Sequence, residues 1–211
     1  MIRRPLAGLA TLAALGTSTL AAQSRTAPRP VMDRAVEIAL ARSAAPAQIS
    51  ATARVWTWNG SRYEVAEQGS SGVNCFLARA WVPSVEPHCL DAEASRTILP
   101  ILMYKIELYA QGRTDSLVER EVAAGIRSGR FKLPTRPAVS YMMSAAQELV
   151  GGNGTAVGAW QPHLMIYYPN WTGEQVGLPG FVPDVGFIEN PGTPLAAFVV
   201  PLKTFVPKPG P

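Results

Sequence analysis

Cys75 and Cys89 are the only cysteines in the chain, and the segment between them carries Pro83 and Pro87. An even pair of thiols bracketing a proline-bent segment predicts an intradomain disulfide if the chain reaches an oxidising compartment. Closing a loop of ~15 residues is worth about 3 kcal/mol in the chain-entropy model. It would tie the loop after a strand to the start of a helical region, a strong constraint on any fold. The rival readings are a Cys nucleophile assisted by His88, or a metal ligand. Neighbours on an extended chain point to opposite sides, so His88 is poorly placed to serve Cys89, and oxidation would consume the thiol. The disulfide is the expectation.

The N-terminus predicts that compartment. Met1-Ile2-Arg3-Arg4 is cationic, Leu6 to Leu20 is apolar or small, and Thr19-Leu20-Ala21-Ala22 ends in a small-x-small cleavage pattern. The apolar stretch is diluted by Gly8, Gly16, Thr17 and Ser18, and falls short of the ~20 residues of a spanning helix. Residues 1–22 are therefore expected to be a cleavable export signal and 23–30 a disordered leader. Residues 31–202 should form a single α+β domain and 203–211 a Pro-rich tail. The apolar share of 47% and charged share of 16% are globular values. With Arg3 and Arg4 in the signal, 17 of the 19 Lys plus Arg face 15 Asp plus Glu, a balance of +2. No basic run concentrates that charge, so nucleic acid is not an expected partner.

Within the domain, Asp33 is placed to cap a helix carrying Val36, Ile38, Ala39 and Leu40, or else this segment is a weakly anchored arm. Asn59-Gly60, between runs rich in aromatic and β-branched residues, predicts a hairpin with a two-residue type I′ turn. Trp58 would face Ser61, Trp56 would face Tyr63, and Arg54 would face Val65 on one side of the ribbon. Trp56, Tyr63 and Val65 are then the expected core positions, with Trp58 near the rim. Val73 to Trp81 reads as a third strand of a meander, followed by a loop through Pro83 and Pro87. From Asp91 the period changes: Ile98, Leu102, Ile106 and Tyr109 form a helical stripe, with Pro100 in its first turn or at a kink. Ser116-x-x-Glu119 fits a capping box for a second helix ending near Gly129. Val139 to Met143, His163 to Tyr168 and Leu195 to Leu202 are further strands. Gly151 to Gly158 reads as a flexible connection, since it lacks both phosphate-loop and dinucleotide spacing.

The predicted architecture is an antiparallel sheet of five or six strands with two helices, from residues 91 to 128, packed on one face. The sequence contains no Cys-x-x-Cys, His-Glu-x-x-His or Gly-x-Ser-x-Gly, and no metal or cofactor is predicted. Asp91 and Glu93 look like helix N-terminal charges, while Asp184 and Glu189 fall in loops with no fixed separation. His163, sharing a strand face with Met165 and Tyr167, is the candidate catalytic base, with Tyr141 as companion. The expected function is a non-enzymatic binding or accessory domain of the bacterial cell envelope, periplasmic or secreted. Its partner would be a small molecule or an envelope protein, with no stable membrane span after signal cleavage. The alternative is a hydrolase with a site near His163.

Overall fold

The computed structural model describes residues 31–79, 84–150, 156–158 and 160–210. The segments expected to be an export signal and leader, and most of the Gly151 to Gly158 connection, lie outside the described residues. The helices are α1 (Arg34–Arg42), α2 (Ala47–Ser50), α3 (Ala92–Thr97), α4 (Leu99–Ala110) and α5 (Asp115–Arg127). The strands are β1 (Arg54–Trp58), β2 (Tyr63–Glu67), β3 (Asn74–Arg79), β4 (Val85–Leu90), β5 (Ala138–Met142), β6 (Leu149–Val150), β7 (Ala156–Gly158), β8 (His163–Tyr167), β9 (Phe187–Glu189) and β10 (Ala197–Pro201).

The fold is α+β, but the sheet is larger than five or six strands. Among the described residues eight strands run in the order β2-β1-β3-β4-β5-β8-β10-β9, and β6 and β7 form a separate ribbon. β4 and β9 are the additions. Helices also cover both faces of the sheet rather than one. α1 lies over Val55, Cys75 and Cys89, where Ala41, Ala44 and Ala45 let it approach closely. On the other face Ile98, Leu99 and Ile106 of the α3–α4 region pack on Phe76, Leu90, Met142 and Met165. α5 packs on α4, where its Val122, with Phe131 just beyond the helix, closes over Ile101.

The β1–β2 hairpin forms two residues out of the expected register. Trp58 pairs with Tyr63 and Trp56 with Val65, so the loop spans residues 59–62. Asn59 explains the shift. Its Oδ1 accepts from the Ser61 and Arg62 amides, both at 3.0 Å, and its own amide donates to the Arg62 carbonyl. A side chain that mimics a turn in this way favours the longer loop over a two-residue type I′ turn. Because the slip is an even number, Trp56, Trp58, Tyr63 and Val65 keep a common face; a bulge between Val55 and Trp56 then sets Val55 opposite Glu67. Trp58, expected at the rim, is the buried one at 2% exposure, and Trp56 is only partly buried.

No meander follows. β3 leaves β2 behind and pairs in parallel with β1, Arg54 opposite Asn74. The connecting residues 68–73 cross the start of β1, with the amides of Ser70 and Ser71 bonded to the Thr52 carbonyl. Gly69 permits the crossing: a Cβ there would sit 2.1 Å from the Arg54 amide nitrogen. Only a residue without a side chain brings two backbones this close.

The loop expected through Pro87 is instead the inner strand β4, which pairs with β3 along its length. Cys75 and Cys89 stand directly opposite each other with Cα atoms 4.0 Å apart, the spacing of a non-hydrogen-bonded pair. Two residues on, Leu77 and Pro87 form another such pair, so the Pro87 nitrogen turns away from β3. On that side β5 pairs only with Cys89 and Leu90, and Glu148 bonds Val85. Pro87 falls in the gap between them, where no partner needs its missing amide proton.

Asp33 caps α1, accepting from the Ala35 and Val36 amides. Pro100 sits in the first turn of α4, and Gly129 follows α5 with a φ of 75°. The Ser116–Glu119 capping box does not form. α5 begins two residues earlier than that box would set it, with Thr114 as N-cap and Asp115 as its first residue, whose carboxylate accepts from the Tyr109 hydroxyl. The Pro-rich segment after residue 202 is tied back at Val206, which exchanges hydrogen bonds with Met143 and Ala145. Among the described residues no helix is long and apolar enough to cross a membrane.

Candidate functional site

The crossing of residues 68–73 over β1 leaves a cleft of about 540 Å³ between the sheet and the α3–α4 helices. Arg54 and Trp56 project into it from β1 and Asn74 from β3, all on one sheet face, since alternate strand positions share a face. Ser95 and Arg96 of α3, with Leu99 and Met103 one turn apart on α4, close the opposite wall. None of the lining residues is acidic.

The walls are fixed by bonds that do not consume the cleft. Trp56 Nε1 donates to Asn74 Oδ1 at 2.7 Å, and Asn74 Nδ2 donates to the Gly72 carbonyl at 3.1 Å, which sets the indole plane. Ser95 Oγ bonds the Leu90 carbonyl at 2.9 Å and ties α3 to β4. Glu93, buried at 2% exposure, accepts from Arg136 Nε at 3.1 Å, from the Thr135 amide and from Arg96. Asp91 caps α3 by accepting from the Ala94 amide at 2.7 Å, the helix-terminal role its sequence position predicts. Arg54 differs from these residues. Its Nε is buried and has no hydrogen-bond partner.

His163 and Tyr141 are not brought together. They lie on neighbouring strands, but Tyr141 is opposite Leu164 and Met142 opposite His163, so their side chains leave opposite faces of the sheet. Tyr141 packs beneath α1 against the disulfide, and burial, reinforced by Asp91, pushes its hydroxyl pKa above the usual range. His163 points to the α4 side, and its Nδ1 lies 2.7 Å from the Gln161 carbonyl. A carbonyl only accepts, so the hydrogen is on Nδ1. Trp160 stands edge-on to the ring at 6.1 Å.

Burial lowers the pKa of His163 below its usual value, and nearby His88 adds to this against the opposing Gln161 bond and Glu86. The unfolded chain therefore binds a proton at a pH where the folded chain does not. Stability owed to this residue is complete above about pH 6.5 and falls as the pH drops towards the folded pKa, by at most about 1.4 kcal/mol per unit. Urea unfolding between pH 7 and 5 should show a steeper loss in the native protein than in His163→Asn. Parallel curves would remove the neutral histidine from the account.

A second polar group was missed at the sequence level because His88 reads there as a loop residue. On β4 its Nδ1 meets Ser140 Oγ at 3.1 Å, and Glu86 Oε2 lies 3.8 Å from its Nε2. The order acid, imidazole, hydroxyl is that of a nucleophile relay, but Ser140 is wholly buried and the His88 ring stacks on Phe76. This group fills the core beneath α4 and offers no atom to a substrate. Among the described residues no three His, Cys, Asp or Glu side chains converge as a metal-ligand set.

No family model, curated protein or solved structure matches the chain. The cleft residues carry the functional argument alone. One signal for them exists in the sequence: Arg54 shares a hairpin face with Trp56 and Trp58, and a charge on a core-directed face needs a partner or a purpose.

Proposed function

We propose that the chain is an exported, non-enzymatic binding domain of the cell envelope, periplasmic or secreted, whose cleft holds a small molecule. The observation that carries this reading is the cleft, concave and partly apolar, with convergent polar groups on a rigid sheet-and-helix frame. Its volume falls in the range of about 300–1,000 Å³ found for ligand sites. The Cys75–Cys89 bond supports export, because such bonds persist where thiols are oxidised. The pattern of residues 1–22 supports it independently.

The test is a fragment screen by NMR on the protein starting at residue 23, with neutral, anionic and cationic compounds. Binders should shift the Trp56 indole N–H and the amides of Ser70, Asn74 and Ser95 together. If every binder acts elsewhere, or none binds at millimolar concentration, the cleft is not a ligand site.

A further inference from the structure

We propose that the ligand of this cleft is an organic monocarboxylate with a flat or extended apolar body. The inference rests on the binding reading above and adds the chemistry of the ligand. Three observations lead to it.

The first is uncompensated charge. The Arg42 guanidinium is taken up by the Ser50 and Ala53 carbonyls and by Glu67. Arg54 has no such acceptor among the described residues, although it is partly buried and its Nε is wholly so. A buried guanidinium Nε without an acceptor is costly, and native folds seldom leave buried donors unmet. The second is the sign of the surroundings. Arg96 is the other charged lining residue, its side chain is 66% exposed, and its partner Glu93 is held independently by Arg136 and Thr135. Arg96 is thus free to swing onto a ligand without leaving a buried carboxylate unpaired. Two guanidinia and no lining carboxylate repel cations and select an oxyanion.

The third observation sets the rest of the molecule. Beside the neutral polar groups of Ser70, Asn74 and Ser95, the cleft has an apolar side made by Trp56, Leu99, Pro100 and Met103. A free phosphate, hydrated on all sides, would lose water against these groups without recompense. A carboxylate instead presents two oxygens to an arginine fork and leaves an apolar body to lie on the indole. Since Trp56 is already held by Asn74, little ordering is needed on binding.

Calorimetry with 2-naphthoate, its neutral counterpart 2-naphthalenemethanol and inorganic phosphate tests this on the protein starting at residue 23. Naphthoate should bind at least about ten-fold more tightly than the alcohol, the factor of one charge-assisted hydrogen bond. Arg54→Gln should erase that preference, and phosphate should not compete. Arg96→Gln, at an exposed position that leaves the fold intact, should weaken naphthoate several-fold and the alcohol hardly at all. It keeps the test valid if Arg54→Gln folds poorly. Equal binding of naphthoate and alcohol, competition by phosphate, or an unchanged preference in both variants overturns the proposal. If neutral and cationic fragments occupy the cleft as well as anions do, this inference falls and the binding reading stands; an empty cleft removes both.

Discussion

Phe76→Ala should cost about 3–5 kcal/mol, the usual range for emptying a buried aromatic site. Phe76 is fully buried on β3, at the centre of the α4-side core. Its ring stands edge-on to Tyr63 with centroids 5.5 Å apart and stacks on His88 at 5.2 Å. Tyr63 in turn meets Trp58 at 5.1 Å, so one row of rings crosses β1, β2, β3 and β4. Truncating the middle of the row removes two ring contacts and leaves a void that neither neighbour can fill. Tyr63 is held by its hydroxyl on the Leu77 carbonyl at 2.7 Å, and His88 by Ser140. Such tethers keep the cavity open, which places the expected loss in the upper part of the range. In urea the midpoint should fall with the slope unchanged; a loss under about 1 kcal/mol would show that the row is not the centre of the core. Trp56→Phe should cost far less, because Trp56 is only partly buried and faces the cleft.

Local periodicity was legible in the sequence and long-range placement was not. The short apolar runs that end as β5, β8 and β10, and the stripe that becomes α4, follow from residue patterns within a dozen positions. Asp33 and Pro100 act where their chemistry directs them. Three other outcomes departed from pattern, the first through a local side-chain bond and the other two through contacts that no window contains. Asn59 selects the longer turn through its own side chain, which composition of the flanking strands does not reveal. Gly69 reads as one more loop glycine until the Arg54 backbone is placed against it. Pro87 excludes an inner strand by local rule, and is tolerated because β5 and Glu148 leave its nitrogen side vacant. The cleft was invisible for the same reason. Its walls come from residues 54–56, 69–74 and 95–103, which only the parallel crossing of β3 brings together. The candidate His163 and Tyr141 failed to meet through the opposite kind of ignorance, since their strands are neighbours but the register sends them to different faces.

Reducing the Cys75–Cys89 bond should destabilise the domain by about 3 kcal/mol, the value for a loop of this length. For a domain of this size that lowers the melting temperature by roughly 6–12 °C. The bond does not join the sheet to the helical layer, as a proline-bent loop between the cysteines would suggest. It links two strands already paired in register, beneath α1, with both sulfurs in a fully buried cluster beside Ala41, Ala44 and Val55. The native ladder therefore needs no rearrangement when the bond is cut, and the loss should come from the freed unfolded chain rather than from a damaged native state. Two measurements separate these. Reduced protein should keep the native spectrum at 25 °C and unfold at lower urea. Cys75→Ala with Cys89→Ala should lose more than reduction alone, because it also empties space under α1. A reduced protein as stable as the oxidised one would mean that residues 75 and 89 stay together in the unfolded chain, leaving the bond nothing to constrain.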